Sequence, residues 1–238
     1  LELGTPQSQR DLSVSYNQVG DILQEQGDFS GALDMFRKSL SIRENLSLEL
    51  GTPQSQRDLS VSYNQVGDIL REQGDFIGAL DMFRKSLSID EKLSLELGTP
   101  QSQRDLSVSY GRVGEILQEQ GDFTGALDMF RKSLSIRENL SLELGTPQSQ
   151  RDLSVSYNQV GDILREQGDF IGALDMFRKS LSIDEKLSLE LGTPQSQRDL
   201  SVSYGRVGEI LQEQGDFTGA LDMFRKSLSI RENLSLEL

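Results

Sequence analysis

The sequence predicts an all-α protein of five stacked helix–turn–helix repeats, about ten antiparallel helices in a single array. Three observations carry this. Gly-Thr-Pro-Gln recurs at Gly4, Gly51, Gly98, Gly145 and Gly192, always 47 residues apart. Within each copy apolar residues fall at spacings of three and four, the period of one helix face. A Gly-Asp pair, Gly27-Asp28 in the first copy, divides that pattern in two. A fixed period of this length marks an array whose units bury their apolar faces by stacking on neighbours. The repeats run 4–50, 51–97, 98–144, 145–191 and 192–238, one domain over 1–238. Repeats 2 and 4 are identical, as are 3 and 5, so the larger unit is a pair of 94 residues.

Helix A opens at Thr5-Pro6. Threonine is a good N-cap, and proline at the first helical position gives up an N–H that has no partner there. Leu12, Tyr16, Val19 and Leu23 then line one face, with Tyr16 a core aromatic. Gly27 ends the helix and Asp28 caps the next, so helix A is expected over Pro6–Gln26. Helix B follows over Phe29–Leu50. Phe29, Leu33, Phe36 and Leu40 form one stripe, and Met35, Ile42 and Leu46 a second. Two stripes require cover on two sides, by the repeat's own helix A and by the next one. Leu12–Tyr16 and Leu46–Leu50 alternate with period two, as strands do, but no turn signal separates them from the helical stripes. Gly20, inside helix A, is expected opposite Ala32, letting two backbones approach.

Composition excludes several function classes. Thirty-eight acidic residues against 24 basic give a net charge of −14, which disfavours nucleic acid or an anionic membrane as partner. Neither cysteine nor histidine is present, so disulfides, thiol chemistry, histidine triads and most zinc sites are out of reach. The acids repeat along an open surface rather than converging in one pocket, and no EF-hand or phosphate-loop spacing occurs. No enzyme activity, cofactor or metal is expected. No apolar run approaches the roughly 18 residues that span a bilayer, and a cytoplasmic setting is the default. The chain opens on Leu1 rather than Met, as an excised or processed segment would.

On Tyr16, Val19, Gly20, Leu23, Gly27, Ala32, Phe36 and Ser39 the unit resembles the tetratricopeptide repeat. The match covers about 34 residues of each copy, the usual length of that repeat. The longer period and the segment Ser-Ile-Arg-Glu-Asn-Leu look more like the repeats of kinesin light chains and bacterial signalling proteins. The terminal proline of the motif is absent. The resemblance implies a right-handed α-solenoid, a superhelix whose helix A residues line a concave groove that binds peptides.

Differences between copies point at that groove. Repeat 3 replaces Asn17-Gln18 by Gly111-Arg112 and Asp21 by Glu115, and repeat 2 replaces Gln24 by Arg71. Positions 17, 21 and 24 share a helical face. The candidate site is therefore Asn17, Asp21 and Gln24, then Asn64, Asp68 and Arg71 in the second copy. Gly111, Arg112, Glu115 and Gln118 stand there in the third, Asn158, Asp162 and Arg165 in the fourth, and Arg206 and Glu209 in the fifth. Asp68–Arg71 and Arg112–Glu115 are spaced as local i,i+3 ion pairs, the bland reading of the variation. Gly111 and Gly205, mid-helix on an exposed face, would open space in the groove. Four of the seven variable positions lie there, and the others, Ser30, Arg43 and Asn45, lie on helix B.

The first functional reading is a scaffold that presents a concave, net acidic groove, with Asp21, Asp68, Glu115, Asp162 and Glu209 as its acidic ladder, to protein or peptide segments, basic or mixed in charge, with the asparagine row bonding an extended backbone. The alternative is a self-associating or spacer rod, a natural fragment or a designed, idealised repeat chain. Its ends are ordinary repeats flanked by Leu-Glu-Leu and would stack head to tail.

Overall fold

The computed structural model describes residues 4–236; the Leu-Glu-Leu that opens the chain and the last two residues lie outside it. It contains ten helices and, among the described residues, no strand. They are α1 (Pro6–Glu25), α2 (Phe29–Leu50), α3 (Pro53–Glu72), α4 (Phe76–Leu97) and α5 (Pro100–Glu119), then α6 (Phe123–Leu144), α7 (Pro147–Glu166), α8 (Phe170–Leu191), α9 (Pro194–Glu213) and α10 (Phe217–Leu236). Odd helices are helix A of their repeat and even ones helix B. The stretches with strand-like alternation are helical throughout.

Local chemistry sets the ends. The Thr5 side chain accepts the Ser8 N–H at 3.2 Å, and Asp28 accepts that of Gly31 at 2.9 Å. Gly51 stops α2 at φ +59°, a left-handed conformation that glycine adopts without a Cβ clash.

The chain divides into two compact units, 1–122 and 123–238. In the first, α2 packs on α1 and α3, and α4 on α3 and α5. In the second, α6 packs on α7, α8 on α7 and α9, and α10 on α9. Each of α2, α4 and α8 is thus covered by its own helix A and the next.

The buried line of α2 differs from the two expected stripes. It runs Ala32, Phe36, Ser39, Arg43 and Leu46, with Leu40 beside it, whereas Met35 and Ile42 are only half-buried. The arginine sits inside because Ser13 and Asp58 in the neighbouring helices satisfy it, whereas the Ser39 hydroxyl is buried without a hydrogen-bond partner. Helix A also buries a residue outside the expected face: Ile69 of α3 is 0% exposed, against 53% for Ile22 of α1. The aromatic expected in the core is half-buried instead, because Tyr63 turns its hydroxyl to the Glu44 carboxylate of the preceding repeat at 2.9 Å. Burial, then that bond, lifts the phenol to about 12. Gly20 meets the ring of Phe36 rather than Ala32: a Cβ there would lie 2.7 Å from Cε1.

Candidate functional site

The candidate positions recur every third or fourth residue of helix A, and most of them are half-buried, with only Asp21 and Glu209 exposed. On α3 one face carries Arg57, Val61, Asn64, Asp68 and Arg71. A cleft of about 270 Å³ runs over it toward α5, with Val61, Asn64, Gln65 and Asp68 on one wall and Val108 and Arg112 on the other. Asp90 of α4 lies at its floor.

The charged members are joined across repeats, not within one helix. Arg112 of α5 is ion-paired with Asp68 of α3. Arg71 bonds Glu119 through Nε at 2.7 Å and Glu115 through Nη1 at 3.3 Å. The second unit repeats the pattern: Arg206 pairs with Asp162, and Arg165 with Glu209 at 3.2 Å and Glu213 at 2.5 Å. The i,i+3 pairing expected from sequence is replaced, because the next helix A offers a carboxylate that is already in reach. Gln24 makes the neutral version of the contact, donating to Glu72 at 2.9 Å. Much of the variation at positions 18, 21 and 24 is therefore complementarity between neighbouring repeats. Burial holds the Asp68, Glu115 and Asp162 carboxyls above the ordinary range, against the pull of Arg112, Arg71 and Arg206 respectively.

The other members stand apart from these ladders. Asp21 is exposed and Gln118 half-buried. Gly111 is buried, not exposed as expected, whereas a Cβ on Gly205 would meet nothing within 4 Å. Asn17, Asn64 and Asn158 are half-buried, and the Oδ1 of each is shielded from solvent without a hydrogen-bond partner. Beside them stands a residue that the sequence reading passed over. Val14, Val61, Val108, Val155 and Val202 are 39–51% exposed at the same place in every copy. Val14, Val61 and Val155 stand three residues before Asn17, Asn64 and Asn158, one helical turn apart, which is the signal in the sequence.

Two further features belong to the frame. No group of three or more His, Cys, Asp or Glu that could hold a metal occurs among the described residues. No helix among them is long and apolar enough to cross a membrane.

Comparison with known proteins bears on the frame. Family profiles described as tetratricopeptide repeat match residues 12–47, 58–139, 105–186 and 152–233. No curated protein sequence matches the chain. Among solved structures, BtubC (BKLC) from P. vanneervenii is similar at 20% identity and a TM-score of 0.75, over 97% of this chain and 84% of that one. A putative kinesin light chain of Podosopora anserina with nearly identical TPR-like repeats is similar at 16% identity and TM-score 0.68, over 94% and 97%. MamA from Desulfovibrio magneticus RS-1 gives 14% and 0.58, over 94% and 97%. At these identities the likeness is one of fold.

Proposed function

Because the chain belongs to the tetratricopeptide repeat family, a fold that generally mediates protein–protein interaction, we propose that it is a scaffold that binds an extended peptide segment along the open face of its A helices. The observation that carries this is the unpartnered amide oxygens of Asn17 and Asn64 in the first unit and of Asn158 in the second, each beside an exposed valine of its own helix. A buried acceptor without a donor costs about 1–3 kcal/mol, and the N–H groups of an extended peptide would satisfy it. The valines supply apolar area for alternate side chains. The acidic face is largely occupied by its own arginines, so a segment of mixed charge fits better than a strongly basic one. Reversing Asp68, Glu115 and Asp162 would break the inter-repeat ion pairs as well, so it does not isolate binding.

The test is selection of binders from a displayed library of unstructured decapeptides, followed by affinity measurement. An N17A, N64A and N158A triple variant should keep its helicity and lose at least tenfold in affinity for the selected peptides. Equal binding by parent and variant would place recognition elsewhere and end this reading.

A second reading, stacking of one copy on another, is favoured by α1 and α10. Val19 and Ile22 of α1 are 50% and 53% exposed, where Val66 and Ile69 of α3 are 2% and 0%. Leu228 of α10 is 54% exposed, where Leu134 of α6 is 9%.

A further inference from the structure

Position 43 of the repeat alternates in charge: Arg43, Asp90, Arg137, Asp184, Arg231. In the first repeat the arginine points inward and is 8% exposed. Its Nε donates to Ser13 Oγ at 2.7 Å, and its guanidinium is ion-paired with Asp58 of α3, which also takes Arg10 at 2.8 Å. In the second unit Arg137 reaches the counterpart aspartate differently, donating to the Asp152 backbone carbonyl at 3.1 Å with the carboxylate 3.9 Å away.

The aspartate copies keep the surroundings and lose the cation. Asp90 is 3% exposed and accepts the hydroxyls of Ser60, the counterpart of Ser13, at 2.9 Å and of Ser109. Asp105, the counterpart of Asp58, keeps the neighbour Arg57 at 2.8 Å. The guanidinium that position 43 supplies in the first repeat has no equivalent. Instead the 270 Å³ cleft reaches down to Asp90, bounded by three carboxylates, Asp68, Asp90 and Asp105, against two guanidinium groups, Arg57 and Arg112. Arg112 is engaged with Asp68 and Arg57 with Asp105, so Asp90 is left with hydroxyls alone. Asn64 Oδ1 and Gln65 Oε1 of the same cleft are buried acceptors without donors. Asp184 repeats the serine bonds, with Ser154 at 3.0 Å and Ser203, beside Asp199 and Arg151 at 3.0 Å, and there Asn158 Oδ1 is the orphaned acceptor.

We infer that the Asp90 and Asp184 junctions are sockets for a guanidinium group, brought by an arginine side chain of the bound peptide. The chain itself shows the fit, since its own Arg43 fills the corresponding place in the first repeat. A guanidinium carries five N–H donors in a planar fork, enough for the free side of the aspartate and for the orphaned amide oxygens beside it, Asn64 and Gln65 at Asp90 and Asn158 at Asp184. Lysine offers a point charge without that fork. The socket deepens the peptide-groove reading and relies on it only for the delivery of the side chain.

The experiment is a ¹³C-carboxyl NMR titration of the aspartate-labelled protein with N-acetyl-arginine methylamide, repeated with the citrulline analogue. D90N and D184N assign the two resonances and remove the charge with little change of shape. D90R with D184R refills both sites as the first repeat does. Saturable shifts of Asp90 and Asp184, and of the adjoining Asp105 and Asp199, are expected with the arginine amide, at least tenfold weaker with citrulline; in the refilled variant the Asp105 and Asp199 shifts should be lost. No saturable shift, or equal response to both amides, would overturn the socket. Because the probe is a single residue, that result is separate from the fate of the decapeptide selection.

Discussion

Phe83 fixes the distance between α3 and α4. It is 1% exposed, the Arg112 guanidinium lies 5.6 Å over its ring, and a Cβ on Gly67 would come 2.6 Å from its Cε1. The ring is held on two sides, so it has no room to yield to an added methyl. Gly67→Ala should therefore destabilise the protein by about 1–3 kcal/mol, the usual cost of overpacking. Gly205 sits in the same kind of helix with open space around its missing Cβ. There alanine removes only the entropic cost of glycine, and Gly205→Ala should stabilise by about 0.5–1 kcal/mol. Urea unfolding of the two variants followed by circular dichroism reads the opposite signs. Matching signs would mean that the rings repack freely.

Between helices the recurring unit is the junction of helix B with the next helix A, and there are two kinds. The α2–α3 junction carries a buried arginine, and the α4–α5 and α8–α9 junctions a buried aspartate linked to serines. Burial, the larger effect, and the charge of Asp105 raise the Asp90 carboxyl, while Ser109 and Ser60 pull it down; Asp184 behaves alike. The folded protein then binds these protons more tightly than the unfolded chain. Stability falls as pH rises from the ordinary value of 3.8 through the raised one, and the penalty is full above it. D90N with D184N should accordingly raise stability near neutral pH by on the order of 1 kcal/mol per site, with no gain below the ordinary carboxylate pKa. Thermal melts of parent and variant across pH 3 to 8 test this, and a less stable variant at neutral pH would contradict it. The same junctions mark how much was legible in the sequence. Thr5-Pro6, Asp28 and Gly51 fix helix ends by chemistry a few residues long, so the boundaries could be read directly. Arg43 is inside only because Asp58, in the next repeat, meets it, and a helical wheel of one repeat counts it as surface. The reversal from Arg43 to Asp90, in line with Phe36 and Ser39, was the available signal. The charged candidate positions form their ion pairs with neighbouring copies, where a spacing rule does not look.

At the scale of the whole molecule, near-identity of the repeats makes the outer helices chemically equivalent to inner ones. The twenty residues of α10 are those that open α6, and α1 differs from α7 only at Gln24, where α7 has Arg165. The packing of α6 on α7 is thus a template for α10 of one molecule on α1 of another. Exposed Leu228 would cover Val19 and Ile22, and exposed Arg231 would reach Asp11 as Arg43 reaches Asp58. Such a contact is heterologous and leaves the same two faces free at the ends, so it propagates rather than closes. Sedimentation velocity of the 238-residue chain should show a weight-average coefficient that climbs with concentration. Val19→Glu with Ile22→Glu should hold it at the monomer value, because both side chains are solvent-facing in the single molecule and their replacement leaves its own helix pairs intact. High salt should weaken the association only in part, since most of the contact is apolar and its ion pair is partly shielded from solvent. A parent chain that stays monomeric across the whole concentration range would remove stacking from consideration and leave peptide binding as the use of the array.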